Sequence, residues 1–174
     1  MKIQSVIINN YKGINVSLTL SDSINVITGS NGTGKSNILE AIRFVLNDEK
    51  FSSKNVVTKG KSVASVKVTL EEKGVLIDKY SVLKKIYRSG EVKTYYSDIF
   101  PDIKPDCVLL DYDSHCFMDS LKLAEYAAVL KEKAKDTQII IVSMSQEIID
   151  IADCVFKTQK AENGYILANG MAVA

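Results

Sequence analysis

Residues 24–47 read INVITGSNGTGKSNILEAIRFVLN, and the rest of the chain is best read outward from them. Ile24–Thr28 is an apolar run of strand length. Lys35–Leu46 sets Ile38, Leu39, Ile42, Val45 and Leu46 on one helical stripe. Between them Gly29–Ser36 spells GSNGTGKS, a complete match to G-x-x-x-x-G-K-[S/T] in its required setting of strand before and helix after. Each residue type has a physical reason. Gly29, Gly32 and Gly34 let the backbone curl until successive N–H groups converge on phosphate oxygens, and the helix N-terminus adds partial positive charge. In such a loop Lys35 neutralises the β- and γ-phosphates and the Ser36 hydroxyl ligates Mg²⁺, so the stretch predicts an ATP-type ligand with magnesium.

On the N-terminal side, residues 2–9 and 14–20 alternate in strand fashion around the turn at Asn10–Gly13, which predicts a β-hairpin. On the C-terminal side, residues 63–71 alternate strictly, and 80–88 and 91–97 predict two further strands around Ser89 and Gly90. The middle third is therefore antiparallel β. Pro101 and Pro105, the only prolines, mark the change of pattern between an N-terminal lobe, 1–104, and a C-terminal lobe, 105–174, of one unit. Beyond them CVLL at 107–110 reads as a buried strand ending at Asp111. Leu123, Ala127, Leu130 and Ala134 mark an amphipathic helix over 121–135, and QIIIVS at 138–143 is apolar throughout, like a parallel strand covered on both faces. This is a β–α–β crossover. A short helix over 145–153 and a hairpin between 154–158 and 165–168, turning at Asn163 and Gly164, complete the pattern.

The 174 residues suit one domain, and 46% hydrophobic and 25% charged residues with nine Gly and two Pro exclude a disordered, collagenous or low-complexity chain. The longest apolar runs, such as 139–142, fall far short of the roughly 18 residues a membrane helix needs. The first twenty residues lack the continuous apolar segment of a signal peptide, so the expected location is the reducing interior of a cell, cytoplasm or nucleus. Cys107, Cys116 and Cys154 are read as free thiols. One histidine, His115, without a CxxC pair does not make a zinc site. The net charge of +1 hides +6 over residues 50–104 and −5 over 105–174. Lys50, Lys54, Lys59, Lys61, Lys84, Lys85 and Arg88, if they share a face, would contact nucleic-acid phosphates weakly and without reading bases; the alternative is a solvated Lys-rich set of hairpins.

A phosphate loop of this kind works with a carboxylate at the end of a second apolar strand, and Asp111 after CVLL is the candidate. With these motifs in hand the chain resembles the ATPase heads of the structural maintenance of chromosomes (SMC) proteins and their break-repair and RecF-like relatives, within the ABC ATPase class. NYKG at 10–13, ITGSNGTGKSNILEAIRFVLN at 27–47, ASVKVTLE at 64–71, and 107–158 from CVLLDYDS to the closing hairpin follow that family's landmarks, covering nearly the whole chain. The resemblance implies an α/β P-loop NTPase of head type, an antiparallel β lobe packed with a mostly parallel sheet flanked by helices. It also implies a nucleotide-binding set of Lys12, Ser30, Asn31, Gly32, Thr33, Gly34, Lys35, Ser36 and Asn37, a magnesium pair of Ser36 and Asp111, and a partner that is a second head of the same kind or a second copy.

The family's other parts are altered. Only about ten residues join the Tyr95 region to Cys107, where the family inserts a long coiled coil, and no glutamine loop or LSGGQ-like helical subdomain is evident. Ser89, Gly90 and Glu91 superficially resemble the signature but read as a hairpin turn. Tyr112 stands where the family carries its catalytic glutamate, and Met144 where it carries a switch histidine. If the register is shifted by one, Leu110 takes the magnesium position and Asp111 the glutamate's. Asp113 is the one nearby carboxylate to polarise a water, so Asp111 and Asp113 are the catalytic candidates. The expectation is an ATP-binding module of chromosome-related type with slow or absent hydrolysis. The alternatives are an ATPase completed in trans by a partner head or DNA, and a structural pseudo-ATPase scaffold.

Overall fold

The computed structural model describes residues 1–46, 55–72, 79–97, 105–112, 120–161 and 166–172. In chain order the elements are β1 (Lys2–Tyr11), β2 (Ile14–Thr19), β3 (Ile24–Thr28), α1 (Lys35–Leu46), β4 (Val63–Glu71), β5 (Lys79–Tyr87), β6 (Val92–Tyr96), β7 (Cys107–Asp111), α2 (Ser120–Lys133), β8 (Gln138–Val142), α3 (Gln146–Ile149), β9 (Cys154–Lys160) and β10 (Ile166–Ala172). Among the described residues all ten strands join one sheet in the order β6-β5-β4-β1-β2-β10-β9-β3-β8-β7.

The sheet changes character along its width. From β6 to β2 every pairing is antiparallel, while β9, β3, β8 and β7 run parallel to one another. The C-terminal hairpin joins the two regimes: β10 pairs antiparallel with β9 and touches β2 in parallel at Ile166 and Ile14. The order in space thus crosses the order in sequence, because β3 lies between β9 and β8, both from the other side of the prolines. The apolar run Ile139–Val142 is explained by this burial on both faces. Ile140 and Val142 join the core under α1, whereas Ile139 and Ile141 join a second core under α2 and α3.

The stripe expected on α2 is the observed one, with Leu123, Ala127, Leu130 and Ala134 all buried. Helix α1 buries more than one stripe: Ala41 and Phe44 join Ile38, Leu39, Ile42 and Val45 in the core. Ser89–Glu91 forms the turn between β5 and β6, with the Gly90 N–H donating to the Tyr87 carbonyl at 2.9 Å. The turn expected at Asn163 and Gly164 lies outside the described residues.

The common basic face does not form. Lys84 is 4% exposed, and its ammonium donates to the Phe44 carbonyl at the end of α1 at 3.0 Å. Strand pleating sends Lys85 to the opposite face, over the Tyr95 ring, and the Arg88 guanidinium donates to the Lys61 and Thr58 carbonyls at 2.9 Å each. Lys59 and Lys61 are exposed, and Lys50 and Lys54 lie outside the described residues. Among the described residues no helix is long and apolar enough to cross a membrane.

Candidate nucleotide site

The glycine loop leaves the carboxyl end of β3 at Thr28, where an open parallel sheet places its ligand crevice. Gly29, Gly32 and Gly34 have φ of 143°, 77° and 78°, values that side chains disfavour. The space behind two of them is filled by the C-terminal hairpin. A Cβ on Gly29 would strike Thr158 Oγ1 and lie 2.6 Å from the Thr158 carbonyl oxygen, and one on Gly34 would strike Ile166 Cδ1. Gly32 has open space instead. Thr33 is buried; its hydroxyl contacts the Ser30 carbonyl and the Thr158 hydroxyl, both at 2.7 Å.

Lys35 opens α1 and is 6% exposed, its ammonium donating to the Gly29 and Ser30 carbonyls at 2.7 and 3.3 Å. The charge is held at the mouth of the loop. Ser30, Asn31, Gly32 and Ser36 are exposed, Asn37 is half-buried, and the Gly34 carbonyl accepts the Ile38 N–H at 3.1 Å. The first N–H groups of an α-helix find no carbonyl within the helix, which suits this end of α1 to an anion.

Asp111 comes to the same side by pleating. In register it sits beside Val142, which sits beside Ile27 one residue before the loop strand ends. Cys107 and Leu109 pack against the α1 core, so Asp111 projects to the α1 side, while Leu110 packs on the opposite side with α2. The Ser36 hydroxyl and the Asp111 carboxylate are hard oxygen donors of the kind Mg²⁺ takes together with phosphate oxygens and water, so the donor set fits that ion. Among the described residues no group of three or more His, Cys, Asp or Glu side chains could cage a metal without such a ligand.

Tyr112 turns away from this crevice. It is 8% exposed and stacks on Tyr126 of α2, with ring centroids 5.4 Å apart. Met144, two residues past β8, is half exposed, and Asp113 lies outside the described residues. Burial, then the Asp106 charge, pushes Cys107 up to about 11, and burial also raises buried Cys154. His115 and Cys116 lie outside the described residues.

Lys12 occupies a strained turn, with φ of 54° at Asn10 and 46° at Lys12. Its ammonium pairs with Glu40 at 2.6 Å, one helical turn beyond Ser36. Tyr11 beside it is fully buried, and burial followed by the Glu40 charge holds its phenol well above the usual range. Glu40, Thr158 and Ile166 were not singled out from the sequence. Glu40 lies on the Ser36 side of α1 at i+4, a spacing that marks it; the other two are reached only through tertiary packing.

The DNA double-strand break repair Rad50 ATPase of Methanocaldococcus jannaschii is 29% identical over 150 residues, 78% of this chain and 14% of that protein. The chromosome partition protein Smc of Bacillus subtilis is 27% identical over 173 residues, 85% of this chain and 14% of that one. The chain thus spans about one-seventh of the length of these two relatives. Among solved structures, an SMC head domain from Thermotoga maritima superimposes with a TM-score of 0.78 at 18% identity, covering 99% of this chain and 100% of that one. An Smc head bound to the C-winged helix domain of ScpA does so with a TM-score of 0.83 at 13% identity, covering 99% and 98%. The fold is that of an SMC head. The AAA ATPase domain family matches residues 1–170, and the chain belongs to it.

Proposed function

We propose that this chain binds Mg²⁺–ATP at Gly29–Ser36 and turns it over very slowly on its own, serving as a nucleotide-dependent assembly or regulatory module in a chromosome- or DNA-related process. The observation that carries this reading is the contrast within one site. The phosphate loop keeps every chemical requirement, while Tyr112, at the general-base position, is packed against Tyr126. Lys35, the loop amides and the α1 N-terminus bind the phosphates; Ser36 and Asp111 hold the magnesium; no carboxylate at position 112 takes a proton from the attacking water. When bound, magnesium neutralises charge on the β- and γ-phosphates. The partner in this reading is a second SMC-like head or a second copy.

Isothermal titration tests the binding: the full chain binds ATP with Mg²⁺, and Lys35→Ala largely abolishes it, so unchanged affinity in that variant would refute the assignment. Steady-state turnover lies far below the usual enzyme range of about 1 s⁻¹, and Tyr112→Glu raises it only modestly. A second reading, turnover completed in trans by a partner head, is favoured by the exposure of Ser30, Asn31, Gly32 and Ser36, which leaves the outer side of the loop open to another protein. Turnover that appears only after a partner head or DNA is added would select it.

A further inference from the structure

We propose that Thr158 is a positioning residue for the phosphate loop, clamping it to the C-terminal hairpin so that nucleotide binding and hairpin docking reinforce one another. This rests on the reading of the loop as an ATP site. Thr158 lies in β9 and is 3% exposed; its hydroxyl donates to the Thr28 carbonyl at 3.0 Å and meets the Thr33 hydroxyl at 2.7 Å. Thr33 in turn reaches the Ser30 carbonyl at 2.7 Å. The contacts therefore bracket the loop, from its entry at Thr28 to the residue before its last glycine.

Two hydroxyl protons serve three contacts, the Thr28 carbonyl, the Ser30 carbonyl and the oxygen–oxygen contact itself. The pair has two ordered arrangements, one securing Thr28 and one securing Ser30. Lys35 also donates to the Ser30 carbonyl, so when its ammonium turns to a phosphate, the Thr33 proton is the near replacement at Ser30. The state of the loop is thereby felt at Thr158.

Packing makes the same connection without protons. Thr158 fills the space behind Gly29, and Ile166 of β10 fills the space behind Gly34. The Ile166 N–H also donates to the Gly13 carbonyl at 2.8 Å, in the turn that carries Lys12. One hairpin thus fastens the loop and the Lys12 turn together, and by reciprocity whatever steadies the loop steadies the hairpin.

The test uses the full chain, with ATP and Mg²⁺ as the probe. Thr158→Val keeps the shape and removes the hydroxyl; Thr158→Ser keeps the hydroxyl. By titration, Thr158→Val weakens ATP binding about tenfold, the scale of one buried hydrogen bond, while Thr158→Ser stays within about twofold. In wild type, ATP slows amide hydrogen exchange over 154–160 and 166–170; in Thr158→Val that slowing is lost. Wild-type affinity in a folded Thr158→Val variant overturns the proposal, as does a wild type that binds ATP with no exchange response in the hairpin. Should Thr158→Val fail to fold, Thr33→Val, which removes the other hydroxyl from the loop side, and the wild-type exchange decide. Absence of ATP binding by wild type overturns the nucleotide reading itself, and this proposal with it.

Discussion

At the scale of single residues, the three loop glycines share a motif but not a reason, and their substitutions separate accordingly. Gly32 has φ of 77° and open space, so Gly32→Ala costs only the left-handed backbone penalty, about 1 kcal/mol. Gly34→Ala adds the displacement of the Ile166 terminal methyl. Gly29→Ala costs most, because a Cβ there meets a carbonyl of β9 that cannot step aside without parting β9 from β3, and overpacking of that kind adds about 1–3 kcal/mol. Urea midpoints of the three variants should fall in that order; Gly32→Ala as the least stable would contradict it. The motif made the phosphate chemistry of Lys35 and Ser36 legible from spacing alone. Thr158 was not legible, since a hydroxyl 125 residues from Thr33 leaves no local period, and only the sheet brings the two together.

At the scale of elements, period-2 alternation gives β4 its observed ends, and the same alternation divides the lysines of β5 between two faces. Val82, Lys84 and Ile86 share one face, and that face is buried under α1, so Lys84 had to be an interior cation rather than part of a basic surface. Its stem crosses the core and its ammonium sits over the Phe44 ring and on the last turn of α1, where the helix carbonyls favour a cation. Segment 55–61 is irregular and carries no period to place it, although its Val56 carbonyl accepts the Lys12 N–H at 2.7 Å. Gln138 is the other polar residue whose place the pattern hid. It opens β8 with no exposure and answers Ile3 of β1 like a neighbouring strand, accepting from its N–H and donating to its carbonyl at 2.8 Å each, and it also donates to the Ser21 carbonyl between β2 and β3 at 2.6 Å. Gln138→Leu preserves the volume but removes the partner of the buried Ile3 N–H and carbonyl, while the Ser21 carbonyl keeps the Asn25 amide at 3.0 Å, so it should destabilise the fold by about 2–4 kcal/mol by chemical denaturation. A loss below about 0.5 kcal/mol would show that the network does not tie β8 to β1.

At the scale of the whole molecule, the strand order could not be read from the sequence, because the pairing of β3 with β8 and β9 closes contacts over more than a hundred residues. What the sheet does to its interior titratable groups is nevertheless measurable. Cys107 on the edge strand β7 and Tyr11 at the end of β1 are both raised above their ordinary values, chiefly by burial. The unfolded chain gives up the Cys107 proton near pH 9, whereas the folded chain holds it to about 11. Between those values the unfolded state binds fewer protons than the native state, so stability falls as pH rises. The contribution is fully present below about pH 9 and is lost as pH climbs through 11, and Tyr11 extends the decline in the same direction. Allowing for the part of the thiol that solvent reaches, Cys107 accounts for at most about 2 kcal/mol. Urea midpoints under reducing conditions should drop between pH 8 and pH 10.5, and Cys107→Ala, though less stable at pH 8, should show a shallower drop. Parallel declines in the two proteins would place the alkaline sensitivity elsewhere, with the partly buried Tyr11–Glu40 contact the next group to test, because its phenol can ionise only against a carboxylate already held by Lys12.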